Sequence, residues 1–290
     1  SKTVRARLAI TGDAALGERE LRVATSAGVS NPLPLHIGNL PEILEKPTNN
    51  TLEQAQRVEL PAAITGRINA AEQVDYYRFA GKQGQNLIVD VYGSRLGTPM
   101  DPSLAILDGA GKELARSEDF NGLDSFLAFE LPQDGDYVLQ IRDFRYLGGD
   151  AFRYRVLVGG MPYVYSVFPF GARRGQNAEV EVRGHNFDTP KLTLRIDPNA
   201  PLGRQDIRAR TAAGISNPFP FNVTDLPEVM ESEPNSAIDQ ADAVSLPTAI
   251  NGKISGEKDY DAFKFNVEKD QQFVFEVLAN RFGSALDALL

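Results

Sequence analysis

The chain has 290 residues with no cysteine, and its 30 Lys and Arg against 39 Asp and Glu give a net charge of −9. Without cysteine there is no disulfide framework, thiolate nucleophile or zinc–thiolate site. The acidic balance argues against nucleic acid as a partner, because that affinity depends on concentrated positive charge, and no stretch reaches the roughly 20 apolar residues of a membrane-spanning helix.

An internal duplication covers most of the chain. Residues 189–290 repeat residues 3–104 at a constant offset of 186, with 36 identities in the 102 aligned positions. Such a duplication predicts an array of modules rather than one enzyme domain. The chain begins with SKTVRARL, which has the pattern of a strand already under way, so we expect a fragment whose targeting signal, if any, lies upstream.

Alternation of apolar and polar residues with period two predicts half-buried strands along the chain. Turn-forming segments rich in Gly, Asp, Asn and Pro separate these strands, which favours β-sandwiches. Only the segments at Thr51 and Ser236 have a helical pattern, and we expect no more than two turns in each. In chain order, the clearest predicted strands begin at Leu21, Asn86, Tyr137, Ala178, Lys191 and Phe273.

Residues 162–223 contain the features of a small immunoglobulin-like domain. A first strand ends at Pro169 before a glycine turn, and a second ends in GHNF from Gly184. These residues resemble the IPT/TIG type of immunoglobulin-like domain. The segment has only 62 residues, against about 100 for an immunoglobulin sandwich, so about two strands are missing. We therefore expect Asp188 and Thr189 not to be consecutive in the native protein.

The longer repeated segment, residues 40–159 and again from residue 226, carries motifs of a second kind. They are ESEPN from Glu231, DYDAFKF from Asp259, DPSL from Asp101, DGDY from Asp134 and YRV from Tyr154. The segment resembles the bacterial pre-peptidase C-terminal domain, a jelly-roll-like β-sandwich also used as the collagen-binding domain of clostridial collagenases. The second copy stops opposite Leu104, so we expect its sandwich to be incomplete.

The acidic segment that opens the second copy predicts a cation site. Glu231, Glu233 and Asn235 have the spacing i, i+2, i+4, which places them on one face of an extended chain. Calcium takes 6 to 8 oxygen ligands, so a second stretch must contribute, and Asp259 and Asp261 are the candidates. The resemblance implies the same set, since some members of the family bind calcium with this pairing. Alternatively, these residues make only a solvated turn that caps a short helix.

The first copy keeps a weaker version of this set. Glu45, Asn49 and Asp75 are retained, whereas Pro47 and Gln73 stand where the second copy has carboxylates. Fewer charged ligands lower calcium affinity, so we expect this site to be weak or empty.

The sequence offers one candidate contact surface and no catalytic centre. The tyrosines of the first long segment are mostly expected in the core, but Arg145 and Tyr146 precede a glycine pair in a loop and form a candidate ligand-binding pair. No serine lies in a G-x-S-x-G setting and only two histidines are present, which argues against a serine hydrolase. We therefore expect no catalytic residues.

These observations predict an all-β chain of tandem β-sandwiches, immunoglobulin-like and jelly-roll-like in alternation. We expect a non-catalytic repeat region of a secreted, periplasmic or cell-surface bacterial protein, with calcium as a cofactor. It would act as a spacer and would bind an extracellular protein matrix or polysaccharide. The alternatives are accessory domains of a secreted peptidase or hydrolase, or a carbohydrate-binding module. The expected boundaries are 1–39, 40–160, 161–225 and 226–290.

Overall fold

Strands make up nearly all of the regular structure in the computed structural model, which describes residues 5–290. The chain divides into two units, the first ending at Met161 and the second being Pro162–Leu290. Part of the predicted first strand lies at residues 1–4, outside the described residues, and residues 5–11 form no strand. Over the described range no helix is long and apolar enough to cross a membrane.

The first unit contains a β-sandwich of two five-stranded sheets. One sheet has the order β11-β10-β13-β8-β6 and the other β12-β9-β14-β7-β5, while β1 pairs with β4 and β2 with β3. The strands are β1 (Gly17–Leu21), β2 (Ala24–Thr25), β3 (Gly28–Val29), β4 (Leu33–Ile37), β5 (Glu42–Leu44), β6 (Gln56–Arg57), β7 (Ala62–Arg67), β8 (Val74–Gly81), β9 (Asn86–Tyr92), β10 (Pro102–Asp108), β11 (Glu113–Ser117), β12 (Phe126–Glu130), β13 (Gly135–Asp143) and β14 (Arg153–Gly159).

Residue alternation along β8 decides what enters the core of this sandwich. Asp75, Tyr77 and Phe79 share the inner face of β8 and are all fully buried. Tyr154 from β14 joins them in the same core. One face of the strand thus carries a carboxylate among apolar side chains, and such a group requires hydrogen-bond partners.

Four connections lie together at one end of this sandwich, which we name the loop end. They are residues 68–73, 93–101, 118–125 and 144–152, and each joins a strand of one sheet to a strand of the other. The backbone N–H of Glu72 donates to the Tyr146 carbonyl (3.0 Å), and that of Phe144 donates to the Asp101 carbonyl (2.6 Å). The loops therefore support one another.

The second unit contains a smaller sandwich with sheets β15-β17-β18 and β16-β22-β19 around one core. Of the remaining strands, two form one short antiparallel hairpin and four form two short parallel pairs. The strands are β15 (Tyr163–Phe168), β16 (Gly171–Arg173), β17 (Asn177–His185), β18 (Lys191–Arg195), β19 (Gly203–Ile207), β20 (Arg210–Thr211), β21 (Gly214–Ile215), β22 (Phe219–Thr224), β23 (Glu228–Met230), β24 (Asp242–Ala243), β25 (Ala249–Asn251) and β26 (Phe263–Lys264).

The expectation of two missing strands at Asp188 and Thr189 is corrected here. Strands β17 and β18 pair directly as an antiparallel hairpin across residues 186–190, and the Val182 N–H donates to the Pro190 carbonyl (2.7 Å). Six strands share the core of this sandwich, and β22 lends it three buried side chains, Phe219, Phe221 and Val223. Three strands in each sheet therefore suffice to enclose an apolar core.

The sequence duplication extends to the backbone. In the first copy β5 pairs parallel to β7 with Glu42 opposite Ala63, and in the second β23 pairs parallel to β25 with Glu228 opposite Ala249. The 3-10 helices Ser94–Leu96 and Asn280–Phe282 also differ by the offset of 186. A third 3-10 helix, Ile238–Gln240, lies where the second helical pattern was predicted, and its counterpart at Thr51 forms only turns.

The strand predicted from Phe273 is wrong. Residues 273–279 form no strand, although their counterparts in the first copy are the fully paired strand β9. β9 pairs with β12 and β14, and residues 273–279 have no equivalent partners among the described residues. Apolar alternation alone does not form a strand, because a strand requires a hydrogen-bonded neighbour.

Candidate metal centre

The second copy brings three of its predicted acidic ligands together. Glu231 directly follows β23, Glu233 lies two residues further on, and Asp261 precedes β26. One carboxylate oxygen from each of the three lies within 4.8 Å of the others. The parallel pairing of β23 with β25 fixes Glu231, because the Lys253 backbone N–H donates to Glu231 Oε1 (2.5 Å).

The electrostatics of this cluster favour a cation or a proton. Burial and the neighbouring Asp261 raise the pKa of Glu231 to about 7. The pKa of Asp261 is also raised, mainly by burial and then by the charges of Asp259 and Asp242. Glu231 Oε2 and Asp261 Oδ1 are buried and have no hydrogen-bond partner. Like charges this close need a counter-charge, because two neighbouring carboxylates cannot both ionise freely.

Gly252 keeps space open beside these oxygens. A Cβ atom at position 252 would lie 2.4 Å from Glu231 Oε2 and 3.0 Å from Asp261 Oδ2. Any other residue would displace the carboxylates. The sequence repeats this glycine as Gly66, where the space is taken by the Tyr154 ring, whose Oη would lie 2.3 Å from a Cβ atom.

The other two predicted ligands behave differently. Asn235 is fully buried and its side-chain Oδ1 accepts no hydrogen bond. Asp259 does not join the cluster, because its carboxylate accepts hydrogen bonds from the Ser236 hydroxyl (2.9 Å) and the Ser255 backbone N–H (2.5 Å). These hydrogen bonds lower the pKa of Asp259. The spacing of two residues predicted that Asp259 and Asp261 would both be ligands. Instead, Asp259 stabilises the tight turn at residues 255–259 by its hydrogen bonds, and only Asp261 joins the cluster.

In the first copy, hydrogen-bond donors occupy the corresponding carboxylate. Asp75 Oδ2 accepts from the Tyr154 hydroxyl (2.6 Å), and Asp75 Oδ1 accepts from Gln73 Nε2 (2.7 Å). The Tyr77 hydroxyl lies 2.5 Å from that of Tyr154, which extends the network. The sequence predicted a core position for most tyrosines of this segment, and Tyr154 is buried there, but its hydrogen bond to Asp75 was not predicted.

The remaining residues of the first set are buried beside this network. Glu45 accepts a hydrogen bond from the Arg67 backbone N–H (2.5 Å), as Glu231 does from Lys253. Burial, followed by the charge of Asp75, raises the pKa of Glu45 to about 7. Asn49 is fully buried and its Oδ1 accepts no hydrogen bond. The two copies thus share the glutamate, asparagine and aspartate, and Gln73 of the first copy stands where the second copy has Asp259.

The predicted ligand-binding pair lies at the loop end. The Tyr146 side chain is half exposed and its ring lies beneath the Arg142 guanidinium, 4.4 Å from it. Arg145 is also half exposed and its Nε is 3.8 Å from Asp101 Oδ2. The two residues are neighbours on one surface, with Arg142 as an additional member that the sequence did not indicate.

Segments of this chain are similar in sequence to known proteins. Residues 73–143 match the family model of the bacterial pre-peptidase C-terminal domain. A stretch of 69 residues is 42% identical to a probable subtilase-type serine protease of Deinococcus radiodurans and covers 23% of this chain. The matched segment spans only 10% of that protease.

Two solved structures were also similar to part of the chain. The pre-peptidase C-terminal domain of a collagenase from Bacillus anthracis is 17% identical, with 42% of this chain and 99% of that domain covered and a TM-score of 0.30. PliG, a periplasmic inhibitor of g-type lysozyme from Aeromonas hydrophila, is 16% identical, with 41% and 97% covered and a TM-score of 0.28. None of these four similarities addresses the IPT/TIG resemblance of residues 162–223.

Proposed function

We propose that this chain is a non-catalytic accessory region of a larger secreted, periplasmic or cell-surface peptidase. Its tandem β-sandwiches would space the parent protein and hold a polypeptide substrate or matrix near it. The observation that carries the proposal is the pre-peptidase C-terminal domain at residues 73–143, supported by the segment shared with a subtilase-type protease. Because that segment is a tenth of the protease, the parent's own activity and substrates belong to the proposal.

A calcium ion in the second copy is part of this proposal. Glu231, Glu233 and Asp261 offer hard oxygen ligands, which suit calcium, and two of their buried oxygens lack a hydrogen-bond partner. When bound, calcium would neutralise the negative charge of the ionised carboxylates, and nearby carbonyls and water would complete its coordination. In the first copy, Tyr154 and Gln73 already donate to both oxygens of Asp75, and Glu45 Oε1 is left as the carboxylate oxygen without a partner, so we expect weak calcium binding or none there.

The chain itself provides the test. Incubated with casein and with fluorogenic peptides, it should release no product. In sedimentation assays it should accompany insoluble collagen or elastin more than cellulose or chitin. Hydrolysis by the chain would contradict the non-catalytic role, and preferential sedimentation with a polysaccharide would favour the carbohydrate-binding alternative instead.

A test of calcium uses the two neighbouring aspartates. Millimolar calcium should raise the thermal midpoint over that in EDTA, because an ion that binds only the folded state stabilises it. Asp261→Asn should abolish this shift, whereas Asp259→Asn should retain it, since Asp259 lies outside the cluster. Equal midpoints of the unmodified chain in EDTA and calcium would exclude the site.

A further inference from the structure

Exposed apolar side chains in the first sandwich are concentrated at the loop end. In the first sandwich, five of the six large apolar side chains that are exposed lie in the loops 118–125 and 144–152, each 44 to 50% exposed, and the sixth is Leu44 of β5, which is 75% exposed. Apolar surface gathered in this way marks an interaction site more often than scattered residues do. The five side chains, which we name the apolar rim, are Phe120, Leu123, Phe144, Tyr146 and Leu147.

Polar contacts join the two loops that carry the apolar rim. The Arg142 guanidinium lies over the Tyr146 ring, and its Nη2 is 3.6 Å from Glu118 Oε1. Arg145 Nη2 donates to the Pro99 carbonyl (3.1 Å), which ties the same surface to a third loop. The rim is therefore held in place before any partner arrives, which reduces the entropy lost on binding.

Tyr146 is held in an unfavourable backbone conformation. Its φ of +57° lies in the left-handed region that bulky residues rarely adopt. The Tyr146 N–H donates to the Asp143 carbonyl (3.0 Å), and the next N–H, of Leu147, donates to Asp143 Oδ1 (3.0 Å). Residues kept in such conformations by their surroundings cluster at functional sites, and here the conformation presents the tyrosine to solvent.

The charges around the apolar rim are unevenly matched. Glu118 is paired with Arg142, and Asp101 with Arg145. Among the described residues Asp119 makes no ion pair within 4.0 Å, and it is exposed beside Phe120. Asp119 therefore offers an exposed carboxylate next to Phe120 in the loop 118–125.

We propose that the apolar rim binds an extended polypeptide segment that carries aliphatic side chains next to a lysine or arginine. Leu123 and Leu147 suit aliphatic partners, and Asp119 suits the basic group. A sugar platform needs open aromatic faces, whereas Arg142 covers one face of Tyr146 and Phe126 lies 4.8 Å from Phe120, centroid to centroid. The inference rests on the proposed function, since it names the polypeptide chemistry that the accessory region would hold.

The experiment measures binding of defined peptides to the full chain. One fluorescent peptide has leucine and lysine spaced by proline and glycine, and a second has glutamate in place of lysine. The lysine peptide should bind and the glutamate peptide should bind at least about tenfold more weakly. Leu147→Ser and Tyr146→Ala should each weaken binding about tenfold, and Asp119→Asn about threefold at low salt.

Tyr165→Ala is the matched control, because Tyr165 is 45% exposed but lies in the second unit. This variant should bind the lysine peptide as tightly as the unmodified chain. Thermal melts identify any variant that fails to fold, and the surface variants Leu147→Ser and Asp119→Asn keep the test valid if Tyr146→Ala is lost. Peptide binding that no rim variant weakens would overturn the inference while leaving the proposed function intact. Binding of cellohexaose, but not of the lysine peptide, would overturn both.

Discussion

Two copies of one sequence pattern meet the cost of a buried carboxylate in different ways. Asp75 accepts hydrogen bonds from Tyr154 and Gln73, whereas Asp261 has a buried oxygen without a partner beside Glu231 and Glu233. An unsatisfied buried acceptor is costly, and a charged one more so. Asp75 is thus satisfied by two hydrogen bonds, and Asp261 Oδ1 is the position at which we propose a cation.

Removal of the Tyr154 hydroxyl should reveal this difference. Tyr154→Phe leaves Asp75 Oδ2 without its donor, and we expect a loss of about 1–3 kcal/mol in the free energy of unfolding. Urea denaturation measures the loss, with Tyr165→Phe as a control in the second unit. Calcium should not restore the lost stability, and full restoration by calcium would mean that the first copy also holds an ion.

The titration of Glu231 predicts a pH dependence whose sign depends on calcium. A carboxyl group with a pKa raised from 4.5 to about 7 in the folded state favours folding while protonated. Its contribution is complete below pH 4.5 and is lost as the pH rises through about 7. In EDTA, the fall in thermal midpoint from pH 5 to pH 8 should therefore be smaller in Glu231→Gln than in the unmodified chain.

Calcium should reverse this part of the pH dependence, because the ion binds the deprotonated carboxylate. The midpoint shift caused by calcium should grow between pH 5 and pH 8, and differential scanning fluorimetry at each pH records it. A shift of equal size at both pH values would show that Glu231 does not contribute to the site.

At the scale of elements, a single aspartate secures the 3-10 helix Ser94–Leu96. Asp124 is fully buried and accepts from the backbone N–H groups of Gly93 (3.0 Å), Ser94 (2.7 Å) and Arg95 (3.0 Å) and from Arg95 Nε (2.8 Å). Arg95 also pairs with Asp90 through its Nη2 (2.6 Å). The short helix therefore depends on a residue from loop 118–125 rather than on its own sequence.

Asp124→Ala should release this element. It leaves Arg95 Nε and three backbone N–H groups without their acceptor, while Arg95 keeps Asp90, and we expect a destabilisation of at least about 1–3 kcal/mol, the range for a buried donor left unsatisfied. Chemical denaturation measures it. Asp134→Ala is the comparison, since Asp134 is exposed and accepts one hydrogen bond, from the Gln83 N–H. A similar loss in both variants would contradict the role of Asp124.

At the scale of the whole molecule, the two units should respond separately to calcium. The cluster of Glu231, Glu233 and Asp261 belongs to the second unit, and in the first unit Tyr154 and Gln73 donate to the corresponding Asp75. Scanning calorimetry should therefore show one transition that calcium raises and one that it does not. Asp261→Asn should make both insensitive, and movement of both transitions in the unmodified chain would contradict the assignment.

The sequence alone determined the fold class, the duplication and most strands, because period-two alternation and turn residues act locally. The pairing register of β5 with β7 recurs in β23 with β25, as the constant offset requires. The resemblance to the pre-peptidase C-terminal domain also came from local motifs, and residues 73–143 match that family.

Only the tertiary structure decided which of the predicted ligands meet. The sequence pattern made Asp259 and Asp261 equal candidates for ligands. In the structure, Asp259 accepts hydrogen bonds from two serines, and Asp261 joins Glu231. Tyr154 lies 79 residues from Asp75 and donates to it only because β14 and β8 face each other across the sandwich. A strand at Phe273 likewise depends on partners that the pattern does not supply. Contacts between segments distant in sequence follow from strand order and packing, which short patterns do not encode.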